Sequence, residues 1–107
     1  MEMLAIVDGD EFVGLAINML SGNCALLDYY AIIPEKRSGG YGSKGLEVLL
    51  VHFKNQKYIF EIEIQDEQAD NAQERKRRKA FYLRNGLKET GLFANVYDTD
   101  FEILTPD

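Results

Sequence analysis

The chain has 107 residues, a formal net charge of −6, one cysteine and no tryptophan. That length predicts a single domain, residues 1–107, with a modest core. The acidic balance argues against a general nucleic-acid binder, because a polyanion repels it, and no apolar run approaches the ~20 residues that a membrane-spanning helix needs. The expected location is therefore the cytoplasm, with neither nucleic acid nor membrane as a partner. Cys24 has no second cysteine to pair with, which fits a reducing compartment, and beside an apolar run it reads as buried and inert.

Taken in order, Met3 to Val7 reads as a strand, Asp8-Gly9-Asp10 as a hairpin turn, and Phe12 to Leu20 as the returning strand. In that strand Val13, Leu15, Ile17 and Met19 alternate with Gly14, Ala16 and Asn18. Ser21-Gly22-Asn23 is a second turn and Cys24 to Ile33 a third strand, apolar on both faces. The three form an antiparallel meander. A helix follows from Ser43 to about Lys54, with Leu46, Leu49, Leu50 and Phe53 at i, i+3, i+4 and i+7. Lys57 to Ile64 is a fourth strand, and the strand–helix–strand order implies a right-handed crossover with parallel pairing. Ala72 to Asn85 is a second helix ending at Gly86, a suitable C′ residue. Leu87 to Tyr97 and Phe101 to Leu104 are the last strands, joined near Asp98-Thr99-Asp100.

The stretch from Ala31 to Leu50 carries the strongest functional signal. An apolar strand ends at Pro34, a short polar turn holds Gly39, Gly40 and Gly42, and a helix begins. Such glycines allow positive φ and a close approach with no Cβ in the way. The amides of the turn and of the new helix converge on one spot suited to an anion, with Arg37 and Lys44 adding charge; phosphate or pyrophosphate is the simplest ligand. A sharp turn with no ligand is the plain alternative. No Gly-Lys-Ser/Thr follows at Walker A spacing. Gly40-x-Gly42-x-x-Gly45 has the letters of a dinucleotide fingerprint, but no βαβ unit with a ribose-binding acid is evident.

Two segments resemble a known family. Pro34-x-x-Arg37-x-x-Gly40-Tyr41-Gly42 is similar to the pyrophosphate loop of the GCN5-related N-acetyltransferases (GNAT), and Phe81-Tyr82-Leu83-Arg84-Asn85-Gly86-Leu87 resembles the family's late Phe-Tyr-x-x-x-Gly-Phe segment, with Leu87 in place of phenylalanine. The resemblance implies an α+β fold with a mixed central sheet of about six strands: an antiparallel meander, then β-α-β-α-β-β. It implies acetyl-CoA or coenzyme A as cofactor and a small-molecule or peptide amine as acceptor. Family members usually begin with a strand and one or two helices ahead of the hairpin, which form one wall of the acceptor pocket. This sequence starts at the hairpin, so the expectation is a shortened domain or a wall supplied by a partner chain, a homodimer among the options.

By the same resemblance, the backbone of Ala31, Ile32 and Ile33 would pair with the pantetheine arm, the Ile33 amide above all holding the thioester oxygen. Arg37, Ser38, Gly39, Gly40, Tyr41, Gly42 and Ser43 would hold the pyrophosphate. Tyr82 would face the sulfur as the acid that protonates the departing thiolate. The residues themselves suggest the base. Glu61 and Glu63 lie two apart on the fourth strand, hence on one face, and buried acids are costly unless that face is wet. Glu63, nearer the strand's end, is preferred as base or water-positioning group over Glu61, and Asp28 is a weaker candidate. His52 reads as surface or packing, and no His/Cys cluster has metal-ligand spacing. The run Arg75-Lys76-Arg77-Arg78-Lys79 reads either as a solvated helix face or as a contact to the 3′-phosphate of coenzyme A or to an acidic acceptor. Three functions stand open: an acetyltransferase, a non-catalytic coenzyme A-binding or interaction module, and a scaffold that uses its basic helix to hold an acidic partner.

Overall fold

A computed structural model describes residues 1–106, leaving out the Ser38 side chain. The elements in chain order are β1 (Glu2–Asp8), β2 (Glu11–Ser21), β3 (Cys24–Ile32), a 3-10 helix (Pro34–Gly39), α1 (Tyr41–His52), β4 (Lys57–Glu63), α2 (Ala72–Arg84), β5 (Lys88–Val96) and β6 (Thr99–Thr105). Six strands and two α-helices make the mixed α+β fold that the sequence implies. They divide into two compact units, Met1–Tyr58 and the chain from Ile59 onward.

In the first unit β1, β2 and β3 form the expected antiparallel meander, with Asp8 paired to Glu11 and Ser21 to Cys24 at the two turns. One face of this meander meets α1. A Cβ added to Gly45 of α1 would collide with the Tyr30 hydroxyl and come within 3.3 Å of Ile6 Cδ1, so helix and sheet approach closely because position 45 has no side chain. Leu46, Leu49 and Phe53 bury themselves here with Val13, Ala16 and Leu27. The larger apolar set of β2 does not face this helix as a block. Gly14, Ala16 and Asn18 are buried while Leu15 and Ile17 are only half-buried and Met19 is exposed, because close helix–sheet packing favours small residues. Asn18 is fully buried and its Oδ1 accepts a 2.6 Å hydrogen bond from the Tyr58 hydroxyl, while its Nδ2 has no partner.

The other face of the meander carries a continuous apolar surface. The register sets Met3 beside Ile17 and Tyr29, Ala5 beside Leu15 and Ala31, and Val7 beside Phe12. Cys24 is exposed, against the expectation of a buried thiol, because it sits at the first position of β3 just after a turn.

In the second unit β6 lies between β4 and β5 and is antiparallel to both. Tyr58, Phe60 and Ile62 are buried along β4, alternating with the half-buried Ile59, Glu61 and Glu63. The end of α2 is closed by Gly86 at φ 95°, with Gly86 N–H donating to the Leu83 carbonyl and Leu87 N–H to that of Tyr82; this is a Schellman closure, which only a residue at ease with positive φ completes cheaply. The β5–β6 turn falls on Tyr97 and Asp98, at φ 51° and 66°, one residue earlier than the sequence suggests. Two consecutive positive φ values twist the hairpin correctly, and the absence of glycine hid the turn.

Candidate functional site

The segment after β3 differs in detail from the expected loop. Pro34–Gly39 is a 3-10 helix with proline in its first turn, and α1 starts at Tyr41 rather than Ser43. A single residue joins the two helices. Gly40 has φ 78° and ψ 7°, at once the C-cap of the first and the N-cap of the second. Among the three glycines only Gly40 takes positive φ; Gly39 and Gly42 do not. Gly39 is needed for space instead, since a Cβ there would lie 3.0 Å from the Tyr41 ring.

This hinge leaves an anion-binding geometry. The first helical hydrogen bond of α1 runs from Lys44 N–H to the Gly40 carbonyl at 3.2 Å, so the N–H groups of Tyr41, Gly42 and Ser43 have no helical acceptor. No side chain caps this N-terminus. The helix dipole adds partial positive charge at the same spot. Side chains brace the turn from the first unit. The Tyr30 hydroxyl donates to the Gly42 carbonyl at 2.5 Å. The Tyr41 hydroxyl donates to Asp8 Oδ2 at 2.6 Å, and that hydrogen bond holds its phenol above the usual tyrosine range. Lys36 pairs with Glu11 at 2.8 Å and lies 5.8 Å from the Tyr41 ring centre. The Arg37 Nε donates to the Ile32 carbonyl at 3.1 Å, tying the 3-10 helix back to the end of β3. The Ser38 side chain lies outside the described residues.

The backbone of β3 corrects one expectation. The Ile33 N–H donates to the Val13 carbonyl at 2.9 Å, so it is occupied by β2 and is not a free oxyanion donor. Amides of successive strand residues leave on opposite edges. The Ile32 N–H therefore faces away from β2, and Ile32, not Ile33, carries the amide suited to a ligand arm. Ile32 is itself buried, and Ala31 is half-buried.

In the second unit, Glu63 is half-buried and heavily engaged. Arg75 reaches its Oε2 at 3.0 Å, Arg78 its Oε1 at 3.5 Å, and Asn71 Nδ2 donates to Oε1 at 3.4 Å. Arg75 is fixed in turn by the Ile64 carbonyl at 3.0 Å and by Asn71 Oδ1 at 2.8 Å. Glu61 is half-buried and Asp28 exposed. Tyr82 is buried between Phe60 and Phe81, each ring 5.4 Å away centre to centre. Burial pushes its phenol up to about 12, the nearby Arg78 charge opposing in part. His52 is exposed, 3.1 Å from Glu2, with its ring edge-on to Phe53, as expected for a surface residue.

Much of the basic run in α2 has a structural role that sequence reading missed. Lys79 bonds Glu89 at 2.6 Å and Glu102 at 2.9 Å. Burial disfavours its charge, but the two carboxylates outweigh that and hold its pKa above the ordinary lysine value. Arg75, Arg78 and Lys79 thus neutralise acids of the sheet, while Lys76 and Arg77 are exposed. The signal that could have revealed this is the 3/4 spacing of 75, 78 and 79 against acids at every strand of the unit.

Solved structures with the same architecture are acetyltransferases. No family model matches the sequence, and no curated protein matches it significantly. A Bacteroides thetaiotaomicron protein assigned to the GNAT family superposes with TM-score 0.75 at 27% identity, over 95% of this chain and 58% of its own. The ribosomal-protein-alanine N-acetyltransferase of Escherichia coli gives 0.69 at 20% identity, over 96% and 66%. An aminoglycoside 6′-N-acetyltransferase crystallised with coenzyme A gives 0.69 at 17%, over 95% and 69%. The chain has the GNAT fold, as the two sequence motifs implied, and spans 58 to 69% of the length of these neighbours.

Proposed function

We propose that this chain is an N-acetyltransferase that binds acetyl-CoA through the β3–α1 segment and passes the acetyl group to a primary amine. The observation that carries this reading is the Gly40 hinge, which opens the first amides of α1 next to the end of β3 in a fold shared with acetyltransferases. The residues suit the cofactor. A pyrophosphate needs converging N–H donors and no intruding Cβ, which Gly39, Gly40, Tyr41, Gly42 and Ser43 supply, with Arg37 and Lys44 as nearby cations. A pantetheine arm needs strand-edge hydrogen bonds, for which Ala31 to Ile33 supply the backbone, Ile32 in particular. We read the two units as one acyl-CoA-binding domain.

Bound acetyl-CoA would supply an activated thioester. The chain's own residues would manage the protons. Glu63, directly or through a water, would accept the proton that the attacking amine loses as the new C–N bond forms. Tyr82 would donate its phenolic proton to the sulfur as the C–S bond breaks; kept neutral by burial, it holds that proton at physiological pH.

One observation favours a second reading, a coenzyme A-binding module without turnover. Both oxygens of Glu63 already have guanidinium partners, so its use as a base requires those contacts to loosen. Two experiments separate the possibilities. Calorimetry with coenzyme A should show binding that Gly40→Val abolishes, since a β-branched residue at φ 78° is strained by about 1–3 kcal/mol; no heat with the unaltered protein overturns both readings. Thiol release from acetyl-CoA with a panel of amines should then exceed the no-amine rate. Binding without release would leave the module reading alone.

A further inference from the structure

The outward face of the β1–β3 meander has no role in the site described above. Its side chains come from all three strands and are all apolar at the register positions Met3, Ala5, Val7, Phe12, Leu15, Ile17, Met19, Leu26, Tyr29 and Ala31, the Tyr29 hydroxyl being the only polar group on them. Met3, Val7, Phe12, Met19 and Tyr29 are between 45 and 60% exposed. An apolar patch of this continuity marks an interaction surface.

We propose that this face docks one amphipathic helix of a partner polypeptide, with an apolar seam bordered by lysine or arginine. Charge selects the partner. The first 33 residues contain Glu2, Asp8, Asp10, Glu11 and Asp28 and not a single lysine or arginine. Of these, Glu2, Asp8 and Glu11 are engaged by His52, Tyr41 and Lys36. Asp10 at the turn and Asp28 at a bulge of β3 stand exposed with no ion-pair partner among the described residues. A second copy of the chain would bring the same acids against these, and an anionic membrane would be repelled, whereas a basic border is attracted. Size selects one helix. Three strands at ~4.8 Å spacing present a width of about 10 Å, the diameter of an α-helix. The outward run of β2 from Phe12 to Met19 is about 24 Å long at ~3.4 Å per residue, which about 16 helical residues cover at ~1.5 Å each. This inference does not rest on coenzyme A binding.

The test uses the full chain and two synthetic 16-residue helical peptides, one of leucine on one face and lysine on the other, the second with glutamate in place of lysine. Fluorescence anisotropy should show the lysine peptide binding at least ten-fold tighter. Amide shift changes in the unaltered protein should map to β1, β2 and β3. Val7→Thr with Tyr29→Thr should weaken the peptide at least ten-fold with little change in the circular dichroism spectrum. Should that variant fail to fold, the shift mapping decides. Equal affinity for the two peptides, no binding, or shifts confined elsewhere overturns the proposal. So does sedimentation showing that the chain dimerises through this face.

Discussion

The two helices treat charge in opposite ways. At the start of α1 the positive potential is carried by backbone. The hinge at Gly40 frees N–H groups, and the neighbouring side chains of Tyr30, Tyr41 and Arg37 brace the turn. In α2 it is carried by side chains, and most of it is spent internally: Arg75 and Arg78 on Glu63, Lys79 on Glu89 and Glu102. A run of five basic residues draws the eye as a binding surface, yet the neutral glycine hinge is the better anion site, because its donors have nothing else to bond.

This contrast can be tested from its strongest consequence down. Lys79→Met leaves Glu102, which is almost wholly buried, and Glu89 without a cation. Removing one partner of a buried pair costs about 3–5 kcal/mol, so the urea midpoint should fall sharply. If stability is unchanged, the internal role of the basic run is wrong. Tyr82 comes next. Its phenol is raised to about 12 from 10.0 by burial, so folding favours the protonated form. That contribution is complete below pH 10 and is lost as pH rises through 12, and two pKa units correspond to about 2–3 kcal/mol. Tyr82→Phe should therefore flatten the loss of stability between pH 10 and 12 in urea titrations, and should slow acetyl transfer while coenzyme A affinity stays within about two-fold if the proton-donor role holds.

Tyr30→Phe removes the 2.5 Å bond to Gly42. A single hydrogen bond contributes about 1 kcal/mol, so a melting temperature lower by a few degrees and a several-fold weaker coenzyme A isotherm are expected; an unchanged isotherm would show that the turn holds itself. The smallest effect belongs to Lys76→Ala with Arg77→Ala. Both are exposed, and surface changes of this kind stay within about 0.5 kcal/mol each. A large loss of coenzyme A affinity in this variant would restore the basic run as a phosphate contact.

Much of the fold was legible because it follows from local pattern. The meander, the two helices, the Gly86 closure and the glycine hinge each rest on residues adjacent in sequence, through period-2 or period-3.6 burial and the conformational freedom of glycine. The misreadings share a cause. The exposure of Cys24, the small-residue burial along β2 and the glycine-free turn at Tyr97 depend on what lies opposite or on two backbone angles that many residues tolerate. So do the occupied Ile33 amide and the Arg75–Glu63 pair.

The sequence by itself determined where the backbone could turn and free its amides, since only chain-local sterics decide that Gly40 takes a φ no β-branched residue accepts. The tertiary structure alone decided which polar groups remain available. Ile33 and Val13 lie 20 residues apart, and Glu63 meets Arg75 across 12. Hydrogen-bond and ion-pair partners so distant along the chain are selected by packing, and periodicity carries no record of them.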